Sequence, residues 1–295
     1  MNNSEKMLNQ WFVGRLSCPD CGQRLIVHEE IMCSACAYQT SLASPVEIKP
    51  KRPSTVKLKL QRLVAEHPAE LLAEIPTDPP KVMYTGPAAV RDSRELMSEI
   101  AAYLTSGSAV LDLGCGPRDQ AAPIEFLGHQ YVGVDYLNEK ADFLADAHAI
   151  PFQSATFECV LSYAVLEHLH NPFIAIQEID RVLKPGGIYI GTVSQGEPFH
   201  ESYFHHTPWG FLSLVSSVPS FRVERLWSSG DTLGSLSRIG RYPKIIRTLI
   251  KMVDEVRSLF PWLAPRKMKW SHKEKMLDEL YRAGSVCFVV KKVSE

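Results

Sequence analysis

Two groups of residues in this chain have the types and spacing to do chemistry. Asp112 follows the apolar pair Val110-Leu111 and precedes Gly114-Cys115-Gly116. Two glycines one residue apart permit a tight turn and a close approach of backbone to a ligand. A second acid, Asp135, ends the short apolar run Tyr131–Val134. Its two oxygens can accept both hydroxyl hydrogens of a ribose. Asp112 would repel a pyrophosphate but could pair with an ammonium group. The dinucleotide pattern Gly-x-Gly-x-x-Gly is broken, because Pro117, Arg118 and Asp119 follow Gly116. The polarity therefore suits a nucleoside bearing an amino acid better than a phosphate chain.

The second group is Cys18-Pro-Asp-Cys21 and Cys33-Ser-Ala-Cys36, separated by eleven residues. Each pair can turn two thiolates toward one ion, and four thiolates in tetrahedral geometry favour structural Zn²⁺. Leu25–Val27 and Glu30–Met32 read as short hairpin strands between them. Such a small unit cannot build a sufficient core, so the metal would supply its folding energy. This is a zinc-ribbon pattern. A redox dithiol needs only one pair and opens a helix after a strand. Arg24 and His28 mix with Asp20, Glu29 and Glu30, which is not a phosphate-binding face.

The elements that must position these residues follow from periodicity. A helix is expected from about Arg91 to Leu104, then strands at Val110–Leu113, Tyr131–Val134, Phe157–Leu161 and Ile188–Thr192. A helix near Pro172–Val182 opens on Asn171-Pro172 as cap and first turn. The alternation predicts an α/β fold, a doubly wound parallel sheet with its ligand site at the carboxyl edge. Strands at Phe221–Leu226 and Ser285–Lys291 complete it. The expected organisation is a ribbon over 1–44, a connector over 45–90 and a catalytic domain over 91–295. The connector is rich in proline and basic residues, with a short helix around Leu58–Glu66.

With 295 residues the chain can form one large domain or two modest ones, and its net charge of −1 gives no global basic excess for steering nucleic acid. Four of the seven cysteines fall in the two knuckles, which is not a secreted disulfide framework. No run of about eighteen apolar residues offers a membrane span, and the polar N-terminus lacks a signal-peptide core. The expected compartment is the cytoplasm.

The motifs continue in order along the chain. Leu111-Asp112-Leu113-Gly114-Cys115-Gly116 is followed by Gly133-Val134-Asp135 and by Asp146-Ala147-His148-Ala149-Ile150-Pro151-Phe152. Phe157-Glu158-Cys159-Val160, Val165-Leu166-Glu167-His168-Leu169 and the segment from Glu178 to Gly187 complete the series. In this order and spacing the sequence resembles the class I S-adenosylmethionine-dependent methyltransferase superfamily. The resemblance implies a Rossmann-like sheet, S-adenosyl-L-methionine as cofactor, and a set of contacts. Gly114 and Gly116 leave room for the methionine part, and Asp135 holds the ribose. Tyr136 lies over the adenine, with Asp146 and the Ala147 amide on its edge. Ser162 and Tyr163 face the reactive methyl, and Tyr84 and Arg91 line the cofactor entrance. Cys115 reads as a small packing residue, and Cys159 and Cys287 as core.

A sulfonium methyl is already activated, so the protein must align it with a nucleophile and exclude water. A base is needed only for a protonated acceptor. His168, His205 and His206 are the candidate catalytic residues. The histidines favour an oxygen acceptor on a small or amphiphilic metabolite. DNA amine methylation is disfavoured, because Ser162-Tyr163-Ala164-Val165 replaces the Asn/Asp-Pro-Pro-aromatic loop. An RNA base is the second substrate class, since some ribosomal RNA methyltransferases bear a similar four-cysteine module. A non-enzymatic cofactor-binding scaffold is the third reading.

Between the last two strands, Ser235–Tyr281 is too long for a hairpin loop. Ile245, Leu249, Met252, Val256 and Phe260 recur at helical spacing, interleaved with Lys244, Arg247 and Lys251. Such a basic amphipathic segment reads as a lid, a helix packed on its own domain, or a peripheral membrane element. The sequence does not specify the oligomeric state.

Overall fold

A computed structural model describes residues 10–51, 72, 74–87, 94–196, 201–231, 243–246, 248, 249, 252 and 270–293. The strands are β1 Leu25–Val27, β2 Glu30–Cys33, β3 Gln39–Ser41, β4 Val46–Ile48, β5 Ala109–Leu113 and β6 Gln130–Asp135. They continue with β7 Phe143–Ala145, β8 Phe157–Tyr163, β9 Leu183–Ser194, β10 Phe221–Asp231 and β11 Ala283–Lys292. The helices used below are α1 Gln10–Val13, α2 Arg94–Tyr103, α3 Ala121–Phe126, α4 Pro172–Val182, α5 Pro208–Ser216 and α6 His272–Tyr281.

Every residue of β5 is buried, as a strand covered on both faces must be. Its side chains alternate between two cores. Val110 packs with Ile100 of α2 and Ile124 of α3. Leu111 packs with Ile176 and Ile179 of α4 and with Phe211 of α5. This period of two places helices on opposite faces of one sheet. The strand order is β10-β11-β9-β8-β5-β6-β7-β4. From β9 to β4 the pairs are parallel, whereas β11 runs antiparallel to both β9 and β10. The sheet is a mixed α/β one, parallel from β9 to β4 with an antiparallel pair at the other edge.

The helix ends follow local chemistry. Asn171 caps α4 by accepting from the Ile174 N–H at 3.4 Å, with Pro172 in the first turn. Ser271 and Glu274 form a capping box at α6.

The cysteine-rich start is a separate three-stranded sheet, β1-β2-β3, whose first hairpin pairs Leu25 with Cys33 and Val27 with Ile31. It does not stand apart from the rest. The Phe12 ring stacks on Phe157 at 6.0 Å, and Leu16 forms a bridge with Phe152. Nor is 45–90 only a connector, since β4 adds an edge strand to the main sheet beside β7. Three residues of alternating burial are too short a pattern to stand out among prolines and lysines.

The expected helix around Leu58–Glu66 lies outside the described residues, as do Arg91, Arg247, Lys251, Val256 and Phe260. Within the inserted segment, Ile245, Leu249 and Met252 are exposed. Among the described residues no helix is long and apolar enough to cross a membrane.

Candidate active site and metal centre

The glycine turn is welded to the end of β6. The N–H groups of Gly114 and Cys115 both donate to Val134 O, at 2.7 and 3.0 Å. Gly114 has φ 72°, and a Cβ there would stand 2.5 Å from a Val165 methyl, so only glycine fits. The Gly116 N–H donates to Asp135 Oδ2 at 3.0 Å. Asp135 Oδ1 accepts from the N–H groups of Leu137 and Asn138, both at 2.9 Å. One carboxylate thus fixes the turn after β5 and the loop after β6. Both lone pairs of Oδ1 are taken by those N–H groups, and Oδ2 retains one for a ligand hydroxyl.

These residues open on a cavity of about 540 Å³ at the carboxyl ends of the parallel strands. Gly114, Asp135, Tyr136, Asp146, Ala147 and His168 all line it. Leu137, His148, Val165, His170 and Tyr203 also line it, and sequence reasoning did not single them out. His148 and His170 lie two residues beyond Asp146 and His168, which was the available signal. The His148 and His170 rings stack at 4.9 Å, and Tyr203 meets His170 edge-on at 5.6 Å.

Asp146 closes a local turn. Its Oδ1 accepts from the His148 N–H at 2.9 Å and lies 2.6 Å from His148 Nδ1. Burial alone would raise the Asp146 pKa, but the His148 ring and N–H outweigh it and hold the carboxyl below its usual range. The loop that carries Asp146 is clamped from behind. Glu178 accepts from Ile150 N–H, and Arg181 donates to Ile150 O and Phe152 O, at 2.6 to 2.8 Å.

Four expected site residues stand elsewhere. Asp112 is fully buried and accepts from the Tyr131 hydroxyl at 2.8 Å, so it does not reach the cavity to meet an ammonium group. Burial pushes its pKa up to about 7, opposed by that hydrogen bond and by Arg118. Ser162 is also buried, bonded to the Tyr189 hydroxyl at 2.9 Å, and does not face the cavity. The alternation along β8 turns it into the core between the sheet and its helices. His205 is exposed away from the cavity lining. His206 is buried, hydrogen-bonded to the Leu166 backbone, and burial lowers its pKa. Gly116 adjoins the cavity through Asp135 without lining it. Tyr84 packs edge-on against Phe126 in the core with α2 and α3, away from any entrance.

His168 is the expected histidine that does line the cavity, with Nδ1 3.1 Å from Glu201 O. The Cys115 thiol is buried beside Gly133 and its pKa is raised by burial, which leaves no thiolate for nucleophilic chemistry.

At the other centre, Cys18, Cys21, Cys33 and Cys36 bring their sulfurs within 4.8 Å of one another. Cys18 and Cys36 are 3.6 Å apart, and Cys21 and Cys33 are 3.5 Å apart. Four Zn–S bonds of about 2.3 Å in a tetrahedron place sulfurs about 3.8 Å apart. The donor set fits one thiophilic ion.

Comparison with known proteins agrees with this geometry. The family described as "Methyltransferase domain" matches residues 111–191. An uncharacterized 37.1 kDa protein in transposon TN4556 of Streptomyces fradiae is 25% identical over 207 residues, covering 63% of this chain and 54% of that protein. The uncharacterized methyltransferase YodH of Bacillus subtilis is 36% identical over 100 residues, covering 28% of this chain and 41% of YodH. The chain thus spans about half the length of these relatives. A solved 1,6-didemethyltoxoflavin-N1-methyltransferase of Burkholderia thailandensis superposes with a TM-score of 0.42 at 16% identity, covering 68% of this chain and 78% of that one. Residues 111–191 match the model of a methyltransferase domain, and four cysteines placed to chelate a metal ion precede them.

Proposed function

We propose that the protein is an S-adenosylmethionine-dependent methyltransferase acting on a small or amphiphilic metabolite, with an oxygen acceptor favoured. The observation that carries the reading is the cavity that gathers Gly114, Asp135, Tyr136, Asp146 and Ala147 inside the matched domain. Asp135 accepts from the ribose through Oδ2, Tyr136 covers the adenine, and Asp146 with the Ala147 amide meets its edge. When bound, the cofactor supplies a sulfonium-activated methyl group. The residues around it need only orient an acceptor, exclude water and, for a hydroxyl, take a proton.

His168 is the residue proposed to take that proton, because it lines the cavity while His205 and His206 do not. The preference for an amphiphilic acceptor rests on the rim. Tyr136, Leu137 and Tyr203 line the cavity and are exposed, which offers apolar surface to an amphiphilic acceptor. The four cysteines are proposed to hold one structural Zn²⁺.

Calorimetry with S-adenosylhomocysteine tests the cofactor, and absence of binding by folded, metal-replete protein overturns it. Transfer from methyl-labelled cofactor to lipid, small-molecule and total RNA extracts tests the acceptor. Label in RNA alone would replace the metabolite with a nucleic-acid acceptor. Binding without transfer to any extract would leave a cofactor-binding scaffold.

A further inference from the structure

The four-cysteine module grips one wall of the cavity from two directions. That wall is Ala145, Asp146, Ala147 and His148, which open the loop that runs on to Phe152. Immediately before Cys18, the Ser17 N–H donates to Pro151 O at 3.0 Å, and the Gln153 N–H donates to Arg15 O at 2.8 Å. From the other direction, β4 lies parallel to β7 with Ile48 beside Ala145. The chain then returns to the first knuckle. The Lys51 N–H donates to Asp20 Oδ1 at 2.7 Å, and Asp20 stands between Cys18 and Cys21.

Lys49 sits between those two anchors. Its Nζ is 4.4 Å from the centroid of the Tyr136 ring, and its side chain is only 20% exposed. Tyr136 is a wall of the cavity. A cation held over one face of an aromatic ring fixes the plane of that ring. The ring that would cover the ligand is thereby held by a residue belonging to the cysteine-rich end of the chain.

We infer that Lys49 is a positioning residue of the cofactor cavity, and that metal occupancy of the four-cysteine module and cofactor affinity are thermodynamically linked through the strand that carries it. The inference rests on reading the cavity as the cofactor's and the cysteines as a metal site. The metal crosslinks the two knuckles and so holds Asp20, which holds Lys51 and with it Lys49. Losing the ion frees that chain of contacts and the wall it supports. Linkage is reciprocal, so the factor by which metal tightens the cofactor is the factor by which cofactor tightens the metal.

Three measurements on the full-length protein test this: calorimetry with S-adenosylhomocysteine, elemental analysis, and equilibrium competition for the metal by a chelator of known affinity. Lys49→Gln should weaken S-adenosylhomocysteine about two- to fivefold with metal content and Tm unchanged, and Lys49→Arg should restore it. Asp20→Ala removes the carboxylate that holds Lys51 but keeps the Asp20 backbone N–H on the Cys18 sulfur, and should weaken the same ligand. Saturating S-adenosylhomocysteine should raise the apparent metal affinity by about fivefold or more.

Unchanged ligand affinity in Lys49→Gln, or chelator competition indifferent to the ligand, overturns the inference. Should metal removal unfold the chain, the metal-loaded Lys49→Gln protein still decides. Failure of the unsubstituted protein to bind S-adenosylhomocysteine is a different result. It defeats the reading of the cavity itself, and this inference with it.

Discussion

Asp112 holds its proton more tightly than a free carboxyl because water cannot reach it. Its folded pKa of about 7 stands above the ordinary value of about 4. The folded state therefore binds the proton better than the unfolded one. The contribution to stability is full below about pH 4, falls as pH rises, and is gone above about pH 7. Asp112→Asn still accepts the Tyr131 hydroxyl bond but does not titrate. Its unfolding free energy should gain on that of the unsubstituted protein between pH 4 and 7, by on the order of a few kcal/mol, read from paired melting curves. Parallel profiles would show that Asp112 is not titrating in that range. Asp135 should behave differently, because it faces the cavity. Asp135→Ala should weaken S-adenosylhomocysteine more than about tenfold while the chain still melts cooperatively, since it loses the charge-assisted hydrogen bond its carboxylate accepts from the ribose. An unchanged dissociation constant would remove the ribose anchor. His168→Gln should lower transfer by about 10² or more and leave cofactor affinity within about twofold. Equal losses in both would make it a wall of the cofactor cavity instead of a base.

At the scale of elements, the loop from Asp146 to Phe152 is the part most dependent on its neighbours. Glu178 and Arg181, one helical turn apart on α4, hold Ile150 and Phe152 by their backbone groups and pair with each other. Arg181→Ala leaves Phe152 O without its guanidinium donor, while Ile150 O keeps the Phe152 N–H and Glu178 keeps the Ile150 N–H, at a cost of about 1–3 kcal/mol. A Tm lower by several degrees together with weaker S-adenosylhomocysteine binding is expected, and a loss of Tm alone would confine Arg181 to stability. The sequence carried most of the sheet. The buried cores of β5, β6 and β8 show as short, mostly apolar runs, and Asn171-Pro172 announces α4. Part of the site was as plain, because Gly114 and Asp135 sit where strands end. The rest was hidden by long-range contacts. Nothing local shows that Asp112 faces Tyr131, nineteen residues away, or that Ser162 faces Tyr189. Likewise β4 is three residues long and acquires meaning only beside β7.

In the whole molecule, the cysteine-rich end and the catalytic sheet share one continuous core. About one zinc per chain is expected by elemental analysis. Cys33→Ser should release it or sharply weaken its retention. Because Phe12 and Leu16 pack into the main core, the same change should also lower the Tm of the whole chain, not of a detachable module. Normal zinc content after that change would contradict the four-thiolate site. The bridge between Leu16 and Phe152 has a further consequence during synthesis. The ribosome releases the cysteine pairs well over a hundred residues before the strand and loop they must grip. At usual elongation rates that interval is roughly 5 to 27 seconds. Through it the nascent hairpin has no partner sheet, and the ion proposed for its cysteines would be what keeps it ordered. Cells short of zinc should therefore accumulate less of this protein per message, at the step of birth and before any reaction is attempted.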